Sequence, residues 1–171
     1  MKHYYLLFFS FLFALNGSAQ VKNSISIGTG ITYPLFLDNY NVSWFTALHW
    51  NIGLSRSSFI DSHLDILEIG VKDYADAPGV ENDHNIYQLG VGFRQLLTKK
   101  LFVSGGASAA IINDGEATLQ ILPNIGIGYD FPISNRHGLE VTLKNDFIRH
   151  FNNRSNIFIS SFGIAYKLWY P

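Results

Sequence analysis

The stretch Asn156-Ile157-Phe158-Ile159-Ser160-Ser161-Phe162-Gly163-Ile164-Ala165-Tyr166-Lys167-Leu168-Trp169-Tyr170 alternates in character from Phe158 onward. Phe158, Phe162, Ile164, Tyr166, Leu168 and Tyr170 share one parity, broken only by Ser160, while Ser161, Gly163, Ala165 and Lys167 share the other. Successive side chains of an extended chain point to opposite faces, so a period of two is a strand. One face stays apolar and aromatic to its last residue, which suits a sheet that closes on itself in a membrane.

The same period recurs upstream in seven further segments. Ser24–Tyr33 sets Ile25, Ile27, Ile31 and Tyr33 against Ser26, Gly28, Gly30 and Thr32. Ser43–Ser55 sets Trp44, Leu48, Trp50 and Ile52 against Ala47, His49, Asn51 and Gly53. Phe59–Lys72 is less regular, and its second half puts Leu67, Ile69 and Val71 opposite Glu68, Gly70 and Lys72. Asn85–Leu96 and Ala117–Phe131 alternate cleanly, although Pro123 lacks the N–H a ladder needs and predicts a bulge. Leu101–Ile112 is too rich in Gly and Ala to show its facing, and Leu139–Phe151 sets Leu139, Val141, Leu143 and Phe147 against Glu140, Thr142, Lys144 and Asp146. The expected fold is therefore all-β, an eight-stranded antiparallel transmembrane barrel in up-and-down order.

The connections alternate too. Pro34–Val42, Asp73–His84 and Asn152–Asn156 are polar, whereas Arg56–Ser58 and Thr98–Lys100 are short and Pro132–Gly138 is moderate. Long loops at one rim and short turns at the other is the outer-membrane arrangement. Asn113-Asp114-Gly115 fits a tight hairpin.

Ahead of these strands, Met1, Lys2 and His3 precede the apolar run Tyr4–Leu15 and then Asn16-Gly17-Ser18-Ala19, the form of a secretory signal peptide spanning residues 1–19. The run is short for a membrane-spanning helix. The barrel is expected to occupy residues 20–171 as one domain. No cysteine is present, so the chain has no lipobox, no disulfide and no thiol chemistry. Without Lys2, 11 Lys and Arg face 13 Asp and Glu, and no basic surplus points to nucleic acid. Charged residues are 15% of the chain, well below the roughly 25% of soluble domains.

A soluble ligand-binding barrel of lipocalin type shares the period, with its apolar face turned inward, and is the alternative architecture. The polar face argues for the membrane. A wet outer wall would be rich in Lys and Glu, yet this face is mostly Gly, Ser, Ala, Thr and Asn. Its scattered charges are Glu68, Lys72, Arg94, Asp130, Glu140, Lys144, Asp146 and Lys167. Four acids and four bases suit the filled interior of an eight-stranded barrel, where they are expected to form an ion-pair network. Tyr33, Trp44, Trp50, Tyr129, Phe131, Phe151, Trp169 and Tyr170 stand near segment ends, where aromatic girdles form.

Alternating strands, the glycine pairs Gly28/Gly30, Gly90/Gly92 and Gly126/Gly128, and the Phe162–Tyr170 ending resemble the small OmpA/OmpX-type outer-membrane proteins, although Pro171 after the last aromatic departs from their usual ending. The resemblance implies assembly by the β-barrel machinery into the outer membrane of a Gram-negative bacterium, with lipid around the wall. Known roles of that family run from structural anchoring and adhesion to lipid A modification.

Arg149-His150-Phe151-Asn152-Asn153 is similar to the His-x-Ser-Asn signature of lipid A deacylases and makes His150 the catalytic candidate. Asn152 stands where that signature has its serine, and an amide cannot be activated as a hydroxyl is. No Asp or Glu follows in the last strand to orient the histidine. Asp73, Asp76, Glu81, Asp83 and His84 form an acidic loop without EF-hand order, read as solvated, and His49 is read as a hydrogen-bonded lumen residue. The expectation is a non-catalytic barrel without cofactor or metal. Its role would be structural, or surface interaction through extracellular loops 34–42 and 73–84; a deacylase that has lost its nucleophile is the alternative.

Overall fold

In the computed structural model, residues 22–35, 40–70, 83–113, 117–151 and 154–170 are described. They form eight strands: β1 (Asn23–Leu35), β2 (Ser43–Gly53), β3 (Ser58–Gly70), β4 (Asp83–Leu96), β5 (Leu101–Asn113), β6 (Ala117–Pro132), β7 (His137–Phe151) and β8 (Arg154–Tyr170). Each pairs antiparallel with its neighbours in sequence, and β1 pairs with β8, so the sheet closes into an up-and-down barrel. The expected signal peptide at 1–19, Lys72, the loop residues Asp73–Glu81 and Asn152–Asn153 lie outside the described residues.

The ladder registers fix the stagger. From Tyr129 the pairings run through Val141, Ile164, Thr29, Thr46, Ile66, Tyr87 and Ile111, and return to β6 at Leu119, ten residues from the start. Ten residues at about 3.3 Å each, spread over eight gaps of about 4.8 Å, tilt the strands by roughly 40°. All nine residues of that circuit point outward, and none is charged.

The outer wall is apolar around the barrel, with Ile27, Trp44, Leu89, Ile125 and Ile164 each more than half exposed. So wide an apolar surface on a closed barrel is the wall of a transmembrane barrel, not of a water-bathed one. Trp50 Nε1 donates to the Tyr170 hydroxyl and the His137 ring meets the Tyr166 hydroxyl at 2.5 Å, both near the short-turn rim. Phe147 and Phe158 pack at 5.2 Å near the other. Trp169 belongs to the inner face instead and lines the turn-end mouth, because it shares parity with Lys167. The Phe151 side chain lies outside the described residues.

The three turns repeat one chemistry. Ser55, Thr98 and Ser134 each follow an aliphatic residue, and each Oγ accepts the N–H groups two and three residues on. The residue before the next strand then offers its carbonyl to a neighbouring strand: Ser57 to Leu96, Lys100 to Asp130 and Arg136 to Trp169. The third turn is thus as tight as the others, because β6 and β7 run further than Phe131 and Leu139.

Two readings are corrected here. β3 keeps a single frame in which Asp61, His63, Asp65, Leu67 and Ile69 face inward, so Leu67 and Ile69 are core residues and Glu68 points outward. Pro123 makes no bulge against β5, where it sits opposite Ala107 in unbroken register. It marks the end of pairing on its other side, since the β6–β7 ladder runs only between Asn124–Pro132 and Gly138–Asp146.

The inside of the barrel has two regions. Near the loop rim it is an apolar plug that includes Leu67, Ile69, Ile86, Ile112, Leu122 and Ile159, all essentially inaccessible. Each such side chain contributes about 1.5–3 kcal/mol by burial. Nearer the turn rim the lumen is charged.

Candidate functional site

The charged lumen is built from inward positions of six strands. Arg94 of β4 donates twice to Glu140 of β7, at 2.8 and 2.6 Å, and its guanidinium lies 3.7 Å from the centre of the Phe102 ring. Phe102 in turn lies where a Cβ on Gly128 would be, so the glycine is what admits the ring. Lys167 of β8 donates to both oxygens of Asp130 at 2.9 and 3.1 Å and to Glu140 at 2.9 Å. Four charges are thereby joined across the barrel from four strands. Their burial is tolerable only because every one has an opposite partner.

A second cluster sits deeper. Lys144 donates to Asp65 at 2.5 Å and to Gln88 Oε1 at 3.1 Å, and lies 3.2 Å from Asp146. Asp61 stands between two imidazoles, 3.2 Å from His49 Nδ1 and 3.6 Å from His63 Nδ1. The two rings stack with centroids 5.4 Å apart. His63 Nε2 meets Ser108 Oγ at 2.8 Å, and that oxygen also accepts from Asn124 Nδ2 at 3.1 Å. A Cβ on Gly90 would overlap the His63 ring, so only glycine leaves this imidazole its place.

Two cavities border these clusters. One of about 330 Å³ opens at the turn rim, where Lys22, Arg56 and Lys99 surround it and Asp130 and Lys167 form part of its lining. The other, of about 40 Å³, lies inside against His49, Asp61, His63 and Asp65. Arg94 lines both and stands between them.

Of the charges singled out in the sequence, Arg94, Asp130, Glu140, Lys144, Asp146 and Lys167 meet in this lumen. Glu68 does not, and Lys72 lies outside the described residues. His49 is in the lumen with Asp61 as its partner. Asp61, His63 and Asp65 were missed. Their signal was the parity of Asp61-Ser62-His63-Leu64-Asp65-Ile66, which the apolar Leu67 and Ile69 outvoted. His150 is in β7, and the register sets it opposite Ser155; neither side chain is among those described. His84 belongs to β4.

No family model and no curated protein matches the chain. Solved structures are. Ail, the attachment invasion locus protein of Yersinia pestis, superposes with a TM-score of 0.57 at 12% identity, over 87% of this chain and 99% of Ail. The outer membrane protein OprG of Pseudomonas aeruginosa gives 0.60 at 10% identity, over 86% and 95%. Neisserial surface protein A gives 0.53 at 12% identity, over 90% and 99%. The chain has the fold of the small eight-stranded outer-membrane barrels.

Proposed function

We infer that the chain is an integral barrel of a Gram-negative outer membrane, placed there by the β-barrel assembly machinery and working without catalysis through its outer surfaces. The observation that carries this reading is the blocked lumen. Among the described residues, an apolar plug near one rim and a cross-linked set of ion pairs nearer the other fill the lumen, while the wall is suited to lipid. What remains free to act is the wall itself and the loop rim. Loops 34–42 and 73–84 are the proposed contact with an extracellular partner.

The role fits structural or surface interaction better than a pore or a lipid-modifying enzyme. A deacylase would need a nucleophile where Asn152 stands. Reconstitution into planar bilayers is the direct test, with no unitary conductance expected, and steady channel openings would defeat the reading. Deleting 73–82, which spares Asp83 and His84 of β4, should leave the unheated barrel's fast gel migration intact and abolish binding of expressing cells to their surface partner. Binding that survives the deletion would remove that loop from the proposal.

A further inference from the structure

The deeper lumen cluster has more negative charge than its permanent cations balance. Among the described residues five carboxylates are enclosed, Asp61, Asp65, Asp130, Glu140 and Asp146, against Arg94, Lys144 and Lys167. Two negative charges are left over, and they are left where His49 and His63 stand. Burying uncompensated charge is costly, so either protons taken up within the cluster or a doubly charged ion must offset it.

Geometry selects between these. One ligand atom each from His49, Asp61 and His63 can be chosen so that all lie within 4.8 Å of one another. In a tetrahedral zinc site with bonds of about 2.0–2.1 Å, neighbouring ligand atoms stand about 3.3–3.5 Å apart. The Asp61 oxygens lie 3.2 Å from His49 Nδ1 and 3.6 Å from His63 Nδ1. His63 is only 4% exposed, and its Nδ1 makes no hydrogen bond. It faces Asp61 across a gap too long for a good proton-mediated bond and suitable for a shared ion. The far nitrogen of His63 already meets an oxygen, Ser108 Oγ at 2.8 Å from Nε2, whereas His49 Nε2 lies 3.7 Å from Asp65 Oδ1, beyond hydrogen-bond reach. Metal-bound imidazoles are oriented as His63 is, by an oxygen on the far nitrogen. The 40 Å³ cavity alongside admits an ion with a bound water.

We propose that His49, Asp61 and His63 form a lumenal site for one divalent transition-metal ion of the zinc class, with Ser108 as a positioning residue. Two imidazole nitrogens and a carboxylate favour such an ion over calcium or magnesium, which take oxygen ligands. The site does not depend on what the loops bind, and its failure would leave the surface reading standing.

The test is to refold the chain into detergent micelles with a chelator, add zinc chloride, desalt, and count zinc per folded barrel by elemental mass spectrometry. One zinc ion per barrel is expected for the native sequence. His63→Gln and Asp61→Asn should each bind at least tenfold more weakly, and His137→Gln, at the exposed turn rim, should bind as the native chain does. Ser108→Ala should weaken binding by about 10–100-fold without abolishing it. Cobalt chloride in place of zinc should give the visible absorption bands of a four-coordinate nitrogen–oxygen site. A native barrel that folds but retains no zinc would overturn the proposal, as would zinc retained undiminished by both ligand variants. Should those variants not fold, the cobalt spectrum of the native barrel decides, and absent bands overturn the site.

Discussion

Arg94 is held at three points, twice by Glu140 and once by the Phe102 ring beneath it. Taking away one partner of a buried pair strands the other, so Arg94→Met should cost about 3–5 kcal/mol in urea unfolding from lipid vesicles. Arg94→Met with Glu140→Gln should recover much of that loss, and equal costs for the single and double variants would show that pairing is not what matters. Glycines also separate by what they face. Gly90→Ala drives a methyl into the His63 ring and should cost about 1–3 kcal/mol. Gly105→Ala, whose Cβ would meet only Asn124 O at 3.7 Å on the outer face, should be neutral or stabilise by up to about 1 kcal/mol. The same unfolding curves check both. Inner charges on β4, β6, β7 and β8 were legible because the residues of opposite parity were apolar over most of each strand. Asp61, His63 and Asp65 were not, because the inner face of β3 itself turns apolar towards the loop rim. Parity holds along a strand even when polarity on one face does not.

Strands were the most readable level, since six of the eight show a clear period of two, while β3 is less regular and β5 does not show its facing. What periodicity could not supply was the inner apolar plug. It was built from residues, such as Ile86 and Leu122, that look like wall residues until the frame of the whole strand is fixed. Ile125 stands outward on β6, 66% exposed and six residues above Phe131, close to the middle of the apolar band. Ile125→Arg should cost about 2–4 kcal/mol in lipid vesicles. A loss under 1 kcal/mol would count against hydrocarbon at that position. Because β6–β7 pairing stops at Asn124, backbone amides of 117–122 should exchange hydrogen faster on average than those of 124–130. Comparable protection across Pro123 would show that the upper part of β6 has a partner there after all. The turns carry a repeat easy to pass over in the sequence: an aliphatic residue, then Ser or Thr, then a stretch with a cation, at Leu54-Ser55-Arg56, Leu97-Thr98-Lys99 and Ile133-Ser134-Asn135-Arg136. Removing one hydroxyl, as in Thr98→Ala, should lower stability by about 0.5–1.5 kcal/mol.

Over the whole molecule, closure makes each strand depend on both neighbours, and the cross-lumen ion pairs tie strands that are not neighbours at all. Arg94 on β4 reaches Glu140 on β7, and Lys144 on β7 reaches Asp65 on β3. The seam between β1 and β8 runs in register from Asn23 opposite Tyr170 to Leu35 opposite Phe158, as long as an ordinary hairpin ladder. Nothing in the wall distinguishes that junction from the seven made by chain-adjacent hairpins. A circularly permuted version, its ends fused by a short glycine linker and reopened between Lys99 and Lys100, would inherit the same eight partnerships. Where synthesis starts is then a convenience of the ribosome, and the ring has no beginning of its own.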